Sequence, residues 1–206
     1  MKNGITTQPV HDMAIHPREQ ELIAGTHGRG IYIADISGLQ PLTTEVLQSD
    51  AHLAPIVTAV QYEGELRPVT AFLNYDGESR QPGVHINYYL KAPVSGGVTV
   101  RVYDGARMIA ETNAPGDAGL NTVRWTMQSA RPTTEAEQAA GRGRGGRGRG
   151  GFGGGRGGAG AATAAPQFPA PAANTVLATV PPGQYRVGLS VGGREQSQTA
   201  LVLADR

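Results

Sequence analysis

Three short apolar runs near the start of the chain predict three β-strands. The runs cover Val10 to Ile15, Leu22 to Ala24 and Ile31 to Ile36, and each is followed by a proline or glycine breaker. The segments between them, His16 to Gln20 and His27 to Gly30, predict hairpin turns, and the glycines of the second turn allow the positive φ values of a tight reversal. Residues 1–38 therefore predict a small sheet of three strands.

Such a sheet gains too little free energy to be stable by itself. Burying one Ile or Leu side chain contributes about 1.5 to 3 kcal/mol, whereas fixing the backbone of each residue costs about 1 to 2 kcal/mol. A three-stranded sheet that is covered on neither face needs another layer to pack against it. We therefore expect residues 1–38 to belong to a larger sheet assembly.

The following segment, residues 39–68, predicts a connector with one short helix. The helix is expected within Pro41 to Asp50, with Thr43 as its N-cap and Glu45 in the first turn, where a negative charge favours the helix dipole. Ala51 to Pro68 shows little periodicity and is expected to run along the surface into the next module.

From Val69 onward, short alternating segments separated by turn signals predict a β-sandwich over residues 69–206. Val84 to Leu90 and Val98 to Val102 alternate apolar with more polar residues, which indicates one buried face on each strand. Asp104-Gly105 and Gly192-Gly193 predict two hairpin turns. The expected fold class is all-β, with an immunoglobulin-like or fibronectin-III-like sandwich.

The core of this sandwich is expected to contain the single tryptophan of the chain. The side chains predicted to hold the core are Trp125, Tyr88, Val100, Val187 and Leu189.

A low-complexity insertion, residues 131–174, interrupts the sandwich. It is rich in Gly, Ala, Pro and Arg, so it cannot bury enough apolar surface to fold and is expected to be disordered. Lengthening a loop costs little closure entropy, so the sandwich can carry this insertion as an overgrown loop.

Charge and cysteine content limit the function only weakly. The chain has 18 Lys and Arg against 17 Asp and Glu, which gives no reason to expect a polyanionic partner for the protein as a whole. It has no cysteine, so disulfides and thiolate metal sites are excluded. The first residues lack the apolar core of a signal peptide, and no window of the sequence approaches the length of a membrane span.

The sequence resembles a known family in four phrases: VHDMAIHPREQELIAGTHGRGIYIADI, INYYLK, GLNTVRW and PPGQYRVGLSVGG. Together they are similar to the carboxyl-terminal end of large bacterial proteins with sortilin-like (VPS10-like) or BNR-type β-propeller repeats, often labelled glycosyl hydrolases. The resemblance covers the chain apart from the Gly/Arg tract. It implies that residues 1–38 are strands of the last propeller blade, that the parent protein is exported to the periplasm or the medium, and that its signal lies before Met1.

Two patterns invite a catalytic or metal-binding interpretation. Gly188 to Gly192 matches G-x-S-x-G, but the nucleophile elbow needs a strand-to-helix turn at Ser190 and a later histidine, and no histidine follows His85. His11 and His16 are five residues apart, so on an extended strand their side chains project from opposite faces and cannot share one ion.

Acidic residues give no catalytic pair either. Asp12, Asp35 and Asp50 are available, but nothing in their spacing supports the facing carboxylates of a glycosidase. We therefore expect no catalytic residue, metal or cofactor in this chain.

One turn is a candidate for ligand contact. His27 and Arg29 lie in the second hairpin, and propellers commonly bind ligands at loop ends, where a cation and an imidazole could hold a carboxylate or a sugar hydroxyl.

The tract from Gly141 to Gly158 resembles an RGG box, in which arginines contact phosphates and stack on bases. The possible nucleic-acid contacts are Arg142, Arg144, Arg147, Arg149 and Arg156. The tract has one nearby aromatic residue, Phe152, and lies inside a sandwich loop, so an incidental linker is the preferred interpretation.

The sequence thus predicts a non-catalytic scaffold or recognition module of an exported propeller protein. Its expected partners are the remaining blades of the parent, together with a glycan or protein ligand. Two alternatives stay open: an accessory part of a glycoside hydrolase whose catalytic residues lie upstream, and an RGG-type nucleic-acid-binding segment.

Overall fold

The computed structural model describes residues 9–28, 30–62, 81–132, 166–169 and 175–205. The described part of the chain is almost entirely β-structure, which confirms the all-β fold class. In chain order the strands are β1 (Val10–His16), β2 (Glu21–Thr26), β3 (Ile31–Asp35), β4 (Ala51–Leu53), β5 (Ala59–Gln61), β6 (Val84–Leu90), β7 (Val98–Asp104), β8 (Arg107–Asn113), β9 (Gly119–Trp125), β10 (Gln128–Pro132), β11 (Gln167–Phe168), β12 (Thr175–Thr179), β13 (Gly183–Val191) and β14 (Arg194–Ala204). One short helix, α1 (Thr44–Gln48), lies between β3 and β4.

The first three strands form a separate antiparallel sheet in the order β1-β2-β3, as predicted. The first turn ends at Gln20, whose φ of 54° is unusual for a residue with a Cβ. The second turn contains Gly28 and Gly30 at φ values of 78° and 115°, which glycine adopts without a steric penalty.

The connector contains the expected helix. Thr43 is the N-cap, and its hydroxyl accepts a hydrogen bond from the backbone N–H of Val46 at 3.4 Å. Glu45 lies in the first turn, as predicted.

The rest of the connector differs from the prediction. The strands β4 and β5 lie in residues 51–61, where β4 pairs antiparallel with β6 and β5 pairs parallel with β14. The paired β-structure of the next unit therefore begins at Ala51 rather than at residue 69. Strands of three residues are too short for their alternation to be recognised in a sequence.

Two further sheets face each other over one hydrophobic core. Their strand orders are β11-β9-β6-β4 and β5-β14-β13-β7-β8, and we call them together the two-sheet unit. The predicted core residues are confirmed as buried: Trp125, Tyr88, Val100 and Val187 are 0% exposed, and Leu189 is 1% exposed.

Both predicted hairpins are present in the two-sheet unit. Gly105 follows β7 at a φ of 57°, and the last turn has Gly192 and Gly193 at φ values of 55° and 84°. Two consecutive residues with positive φ are typical of the two-residue turn that matches the twist of a β-hairpin.

The predicted disordered insertion is ordered at both of its ends. Arg131 and Pro132 belong to β10, which pairs with β12 so that Pro132 lies opposite Thr175. On the returning side, β11 pairs parallel with β9, and Phe168 is buried in the core at 1% exposed. A buried aromatic side chain supplies the apolar area that composition alone failed to indicate. Residues 133–165 and 170–174 lie outside the described part of the chain.

The polar atoms of the core aromatic residues donate hydrogen bonds to backbone carbonyl oxygens. The indole N–H of Trp125 donates to the carbonyl oxygen of Gln128 at 2.9 Å, and its ring meets that of Tyr185 edge-on at 5.1 Å. The hydroxyls of Tyr88 and Tyr185 donate to backbone carbonyls, each at 2.5 Å. These bonds let large aromatic side chains be buried without unpaired polar atoms.

Replacing Trp125 by Ala is expected to lower the free energy of unfolding by about 3 to 5 kcal/mol, because a large buried side chain leaves a cavity. Chemical denaturation followed by circular dichroism measures this change. The matched control is Ile31→Ala on the three-stranded sheet, where the side chain is 71% exposed. A loss at Trp125 no larger than that of the control would contradict its place in the core.

Stability should also depend on pH in the alkaline range. Burial, with a smaller contribution from the Asp117 carboxylate, raises the pKa of the Tyr88 hydroxyl above its ordinary value. Burial and Asp104 raise the pKa of Tyr185 in the same direction. The neutral phenol therefore stabilises the folded state fully below the unfolded pKa of about 10, and this contribution is lost as pH rises above that value.

The test compares the free energies of unfolding at pH 8 and pH 11 for the wild-type protein and for Tyr88→Phe. We expect the variant to lose less stability between the two pH values than the wild type loses. Tyr62→Phe, at a side chain that is 50% exposed, serves as the control and should follow the wild type. Identical pH dependence in all three proteins would contradict the assignment.

Candidate interaction surface

The three-stranded sheet carries apolar side chains on both faces. Residues that lie opposite each other in the ladder share a face, so the register assigns each paired side chain to one face. One face is mainly apolar and consists of Met13, Ile15, Leu22, Ala24, Tyr32 and Ala34, with Val10 and Thr26 at its end. The other has an apolar centre of Ala14, Ile23, Ile31 and Ile33 with the polar residues Asp12, His16, Glu21 and Asp35 around it.

The outer strands β1 and β3 leave both faces largely open to solvent, whereas Ala24 in the central strand is 7% exposed. On the first face, Met13 is 65% exposed and Ile15 is 56% exposed; on the second, Ile31 is 71% exposed and Ile33 is 62% exposed. Isolated exposed apolar residues are common on protein surfaces, whereas contiguous apolar patches mark places where another surface packs. The two faces of this sheet are therefore the strongest candidate for an interaction surface in the described residues.

A buried polar contact joins the end of this sheet to the two-sheet unit. Ser37 follows β3 and is 1% exposed; its hydroxyl accepts a hydrogen bond from the Asn87 amide at 3.0 Å. The Oδ1 of Asn87 accepts in turn from the hydroxyl of Thr122 at 2.7 Å. Both Asn87 and Thr122 lie on the outer side of the sheet that contains β6 and β9. We call Ser37, Asn87 and Thr122 the junction.

Packing at the junction is tight. A Cβ added to Gly38 would lie 3.0 Å from both the Asn87 Cγ and the Leu120 Cδ2 atoms, closer than most such contacts. The helix α1 continues along the same outer face, where the ammonium group of Lys91 donates to the carbonyl oxygen of Gln48 at 3.2 Å. The junction was not predicted, because it joins Ser37 to a strand 50 residues later, and no local pattern reports such a pairing.

The predicted ligand-facing turn is only partly described. The backbone N–H of His27 donates to the carbonyl oxygen of Pro9 at 3.1 Å, and its ring stacks on that of His11 at 5.0 Å. Arg29 lies outside the described residues. The structure therefore places His27 against a second imidazole, a contact that the sequence did not indicate.

His11 and His16 stand at opposite ends of β1, and a register irregularity between Val10 and Asp12 disturbs the simple alternation there. Asp12 accepts a hydrogen bond from the backbone N–H of Met13 at 2.8 Å. Within the described ranges, no group of three His, Asp or Glu side chains is placed to hold a metal ion.

The remaining candidates are separated in the fold. Ser190 lies inside the continuous strand β13, which ends at a glycine turn, so it does not have the strand-to-helix geometry of a nucleophile elbow. Asp35 accepts from the backbone N–H of Ser37 at 2.9 Å, and Asp50 forms an ion pair with Arg194 at 3.5 Å. Each of these carboxylates thus has a local partner.

The predicted nucleic-acid contacts all belong to the Gly/Arg tract. Arg142, Arg144, Arg147, Arg149 and Arg156 all lie outside the described residues. In the part of the chain that the structure describes, no helix is long and apolar enough to cross a membrane.

Comparison of the chain with known protein families, with curated proteins and with solved structures gave no match.

Replacing Asn87 by Ala is expected to lower the free energy of unfolding by about 1 to 3 kcal/mol, because it leaves the buried Ser37 hydroxyl and the half-buried Thr122 hydroxyl without their partner. It should also make the segment around Ser37 more susceptible to limited proteolysis. The control is Tyr89→Phe on the same strand face, which removes only a long 3.4 Å hydrogen bond at an exposed position. Equal effects of the two substitutions on stability and cleavage would show that the junction does not hold the sheet.

Proposed function

We propose that this chain is the non-catalytic scaffold and recognition module at the carboxyl-terminal end of an exported β-propeller protein. In this proposal β1, β2 and β3 are strands of the last blade, and the two-sheet unit supports that blade from outside. The observation that carries the proposal is a sheet with exposed apolar residues on both faces beside a unit whose own core is fully buried.

The number of apolar faces favours a blade over a simple docking surface. A sheet that packs on one partner needs one apolar face and leaves the other polar. Here Met13 and Ile33 lie on opposite faces and are both more than half exposed. A layer that packs between two neighbouring sheets explains both faces, and the blades of a propeller have this arrangement.

The area of each face favours neighbours in the same polypeptide. Three strands about 4.8 Å apart and five residues at about 3.4 Å each give a face of roughly 240 Å². Stable interfaces between separate proteins bury about 800 Å² on each partner. A single face is therefore smaller than the surface that a stable complex of two separate folded proteins usually buries, whereas tethered sheets benefit from a high effective concentration.

The two-sheet unit is proposed to be an immunoglobulin-like or fibronectin-III-like domain. Strands β4, β6 and β9 follow the order of strands A, B and E of such domains, and β7, β13 and β14 follow the order of C, F and G. The hydroxyl of Tyr185, near the start of β13, donates to the carbonyl oxygen of Pro181 four residues earlier, as in the tyrosine corner of these domains.

Scaffolding accounts for the junction as well. The contact of Ser37, Asn87 and Thr122 fixes where the proposed blade joins the two-sheet unit, and a rigid support needs such a fixed point. The exported setting of the parent rests on the sequence resemblance.

The direct test uses an antibody against the two-sheet unit to purify the native protein from cells that produce it, followed by denaturing electrophoresis and peptide mass mapping. We expect a polypeptide much larger than this 206-residue chain, with further blade-like sheets before β1. Recovery of the 206-residue chain alone would contradict the proposal.

The apolar faces can be tested on the chain itself. Met13→Ser and Ile33→Ser are each expected to reduce the binding of an apolar dye and the tendency to self-associate, since each removes apolar area from one face. Both should change the unfolding free energy of the two-sheet unit by less than about 0.5 kcal/mol. Leu203→Ser, which removes a 44% exposed side chain from the two-sheet unit, is the matched control. If dye binding falls only in Leu203→Ser, the exposed apolar surface lies on the two-sheet unit and not on the three-stranded sheet.

A further inference from the structure

Strand β14 has one edge that lacks a backbone partner among the described residues over most of its length. It pairs with β13 from Arg194 to Val202, but on its other side β5 pairs only with Val202 to Ala204. Among the described residues, none forms a backbone pair with that second edge between Arg194 and Leu201.

The turn geometry shows which backbone groups point outward. In a hairpin with a two-residue loop, the flanking residues, here Val191 and Arg194, exchange hydrogen bonds across the ladder. The alternate residues Glu195, Ser197 and Thr199 therefore direct their N–H and C=O groups away from β13. A row of unpaired groups of this kind is a template for another strand.

Two other edges of the two-sheet unit, those of β4 and β8, have a neighbouring group. At the edge of β4, the side-chain amide of Gln196 takes the place of a strand: its Oε1 accepts from the N–H of Leu53 at 2.7 Å, and its Nε2 donates to the carbonyl oxygen of Ala51 at 2.8 Å. The outer edge strand β8 has β10 packed near it. By contrast, β14 contains no proline, no lysine and no register shift that would discourage pairing.

A cavity of about 600 Å³ opens beside this edge. It lies between Ser49 to Ala51 on one side and the β13–β14 hairpin on the other, and Ala51, Leu189 and Val191 give it an apolar lining. Side chains of an added strand would point alternately toward and away from the cavity. One apolar side chain of that strand could therefore enter it.

The rim of the cavity carries a weak ion pair. The Arg194 guanidinium and the Asp50 carboxylate are 3.5 Å apart, and their side chains are 86% and 85% exposed. Ion pairs this exposed contribute little in water, so another carboxylate can replace Asp50 as the partner of Arg194.

We propose that the open edge of β14 binds an extended peptide segment of another protein as an additional strand of the five-stranded sheet. The segment places an apolar side chain in the cavity and an acidic side chain, two residues away on the same face, against Arg194. Main-chain hydrogen bonds supply the affinity, and the two side chains supply the selectivity. This inference concerns the two-sheet unit and does not depend on what covers β1 to β3.

The test titrates the isotope-labelled protein with the blocked peptide acetyl-TLTETV-amide and follows backbone amides by NMR. We expect saturable shifts and new hydrogen-exchange protection at Glu195, Ser197 and Thr199. Ser197→Pro removes one outward N–H and should weaken binding about tenfold, whereas Ser197→Val keeps that N–H and should bind like the wild type.

Two charge-removing substitutions test the proposed contact between Arg194 and the acidic side chain of the peptide. They are expected to change the peptide affinity in opposite directions. Arg194→Gln should weaken binding of the acidic peptide, and Asp50→Asn should strengthen it, because it removes the competing carboxylate. Both residues are exposed, so neither change should affect folding.

Two forms of the peptide make the test independent of protein folding. N-methylation of its odd residues or of its even residues blocks opposite edges of the strand, so one methylated peptide should bind and the other should not. Equal binding of both forms, or no protection of the β14 amides, would overturn the proposal. Protection that rises with protein concentration without peptide would also overturn it, since the edge would then pair with a second copy.

Discussion

The structure depends on a simple constraint: a β-sheet with apolar side chains on both faces is stable only between two other layers. The two-sheet unit satisfies this constraint internally, because the inward faces of its sheets cover each other and its outward faces are mainly polar. The sheet of β1, β2 and β3 does not, since Met13 and Ile31 remain more than half exposed on opposite faces. This contrast between two parts of one chain is the basis of the functional account.

The junction shows how the two parts are combined. Buried polar groups normally cost stability unless they are paired, and here Asn87 pairs with both Ser37 and Thr122 at the point where the chain leaves β3 for the two-sheet unit. Such a contact adds little net attraction between the three-stranded sheet and the two-sheet unit, but it fixes where the two meet. The junction fixes where the chain after β3 meets the two-sheet unit, while β14 of that unit has no backbone partner among the described residues along most of its second edge.

The sequence predicted those features that follow from local patterns. Alternating apolar residues located β6 and β7, consecutive glycines located the last hairpin, and Thr43 located the helix cap. It failed where structure depends on distant partners. The strands β4 and β5 are only three residues long and exist because β6 and β14 offer them an edge, and Phe168 is ordered because the core has room for its ring. The junction and the unpaired edge of β14 both depend on which distant segments lie next to each other. The sequence of one segment alone therefore does not predict them.

The most direct measurement is native-state hydrogen exchange on the monomeric chain, residue by residue. If the three-stranded sheet lacks its covering layers, the paired amides of Ile23 and Ala24 in its central strand should exchange orders of magnitude faster than those of Val100 and Val187 in the two-sheet core. Comparable protection of all four amides in a monomer would contradict the account, because it would show that β1, β2 and β3 are stable without neighbouring sheets.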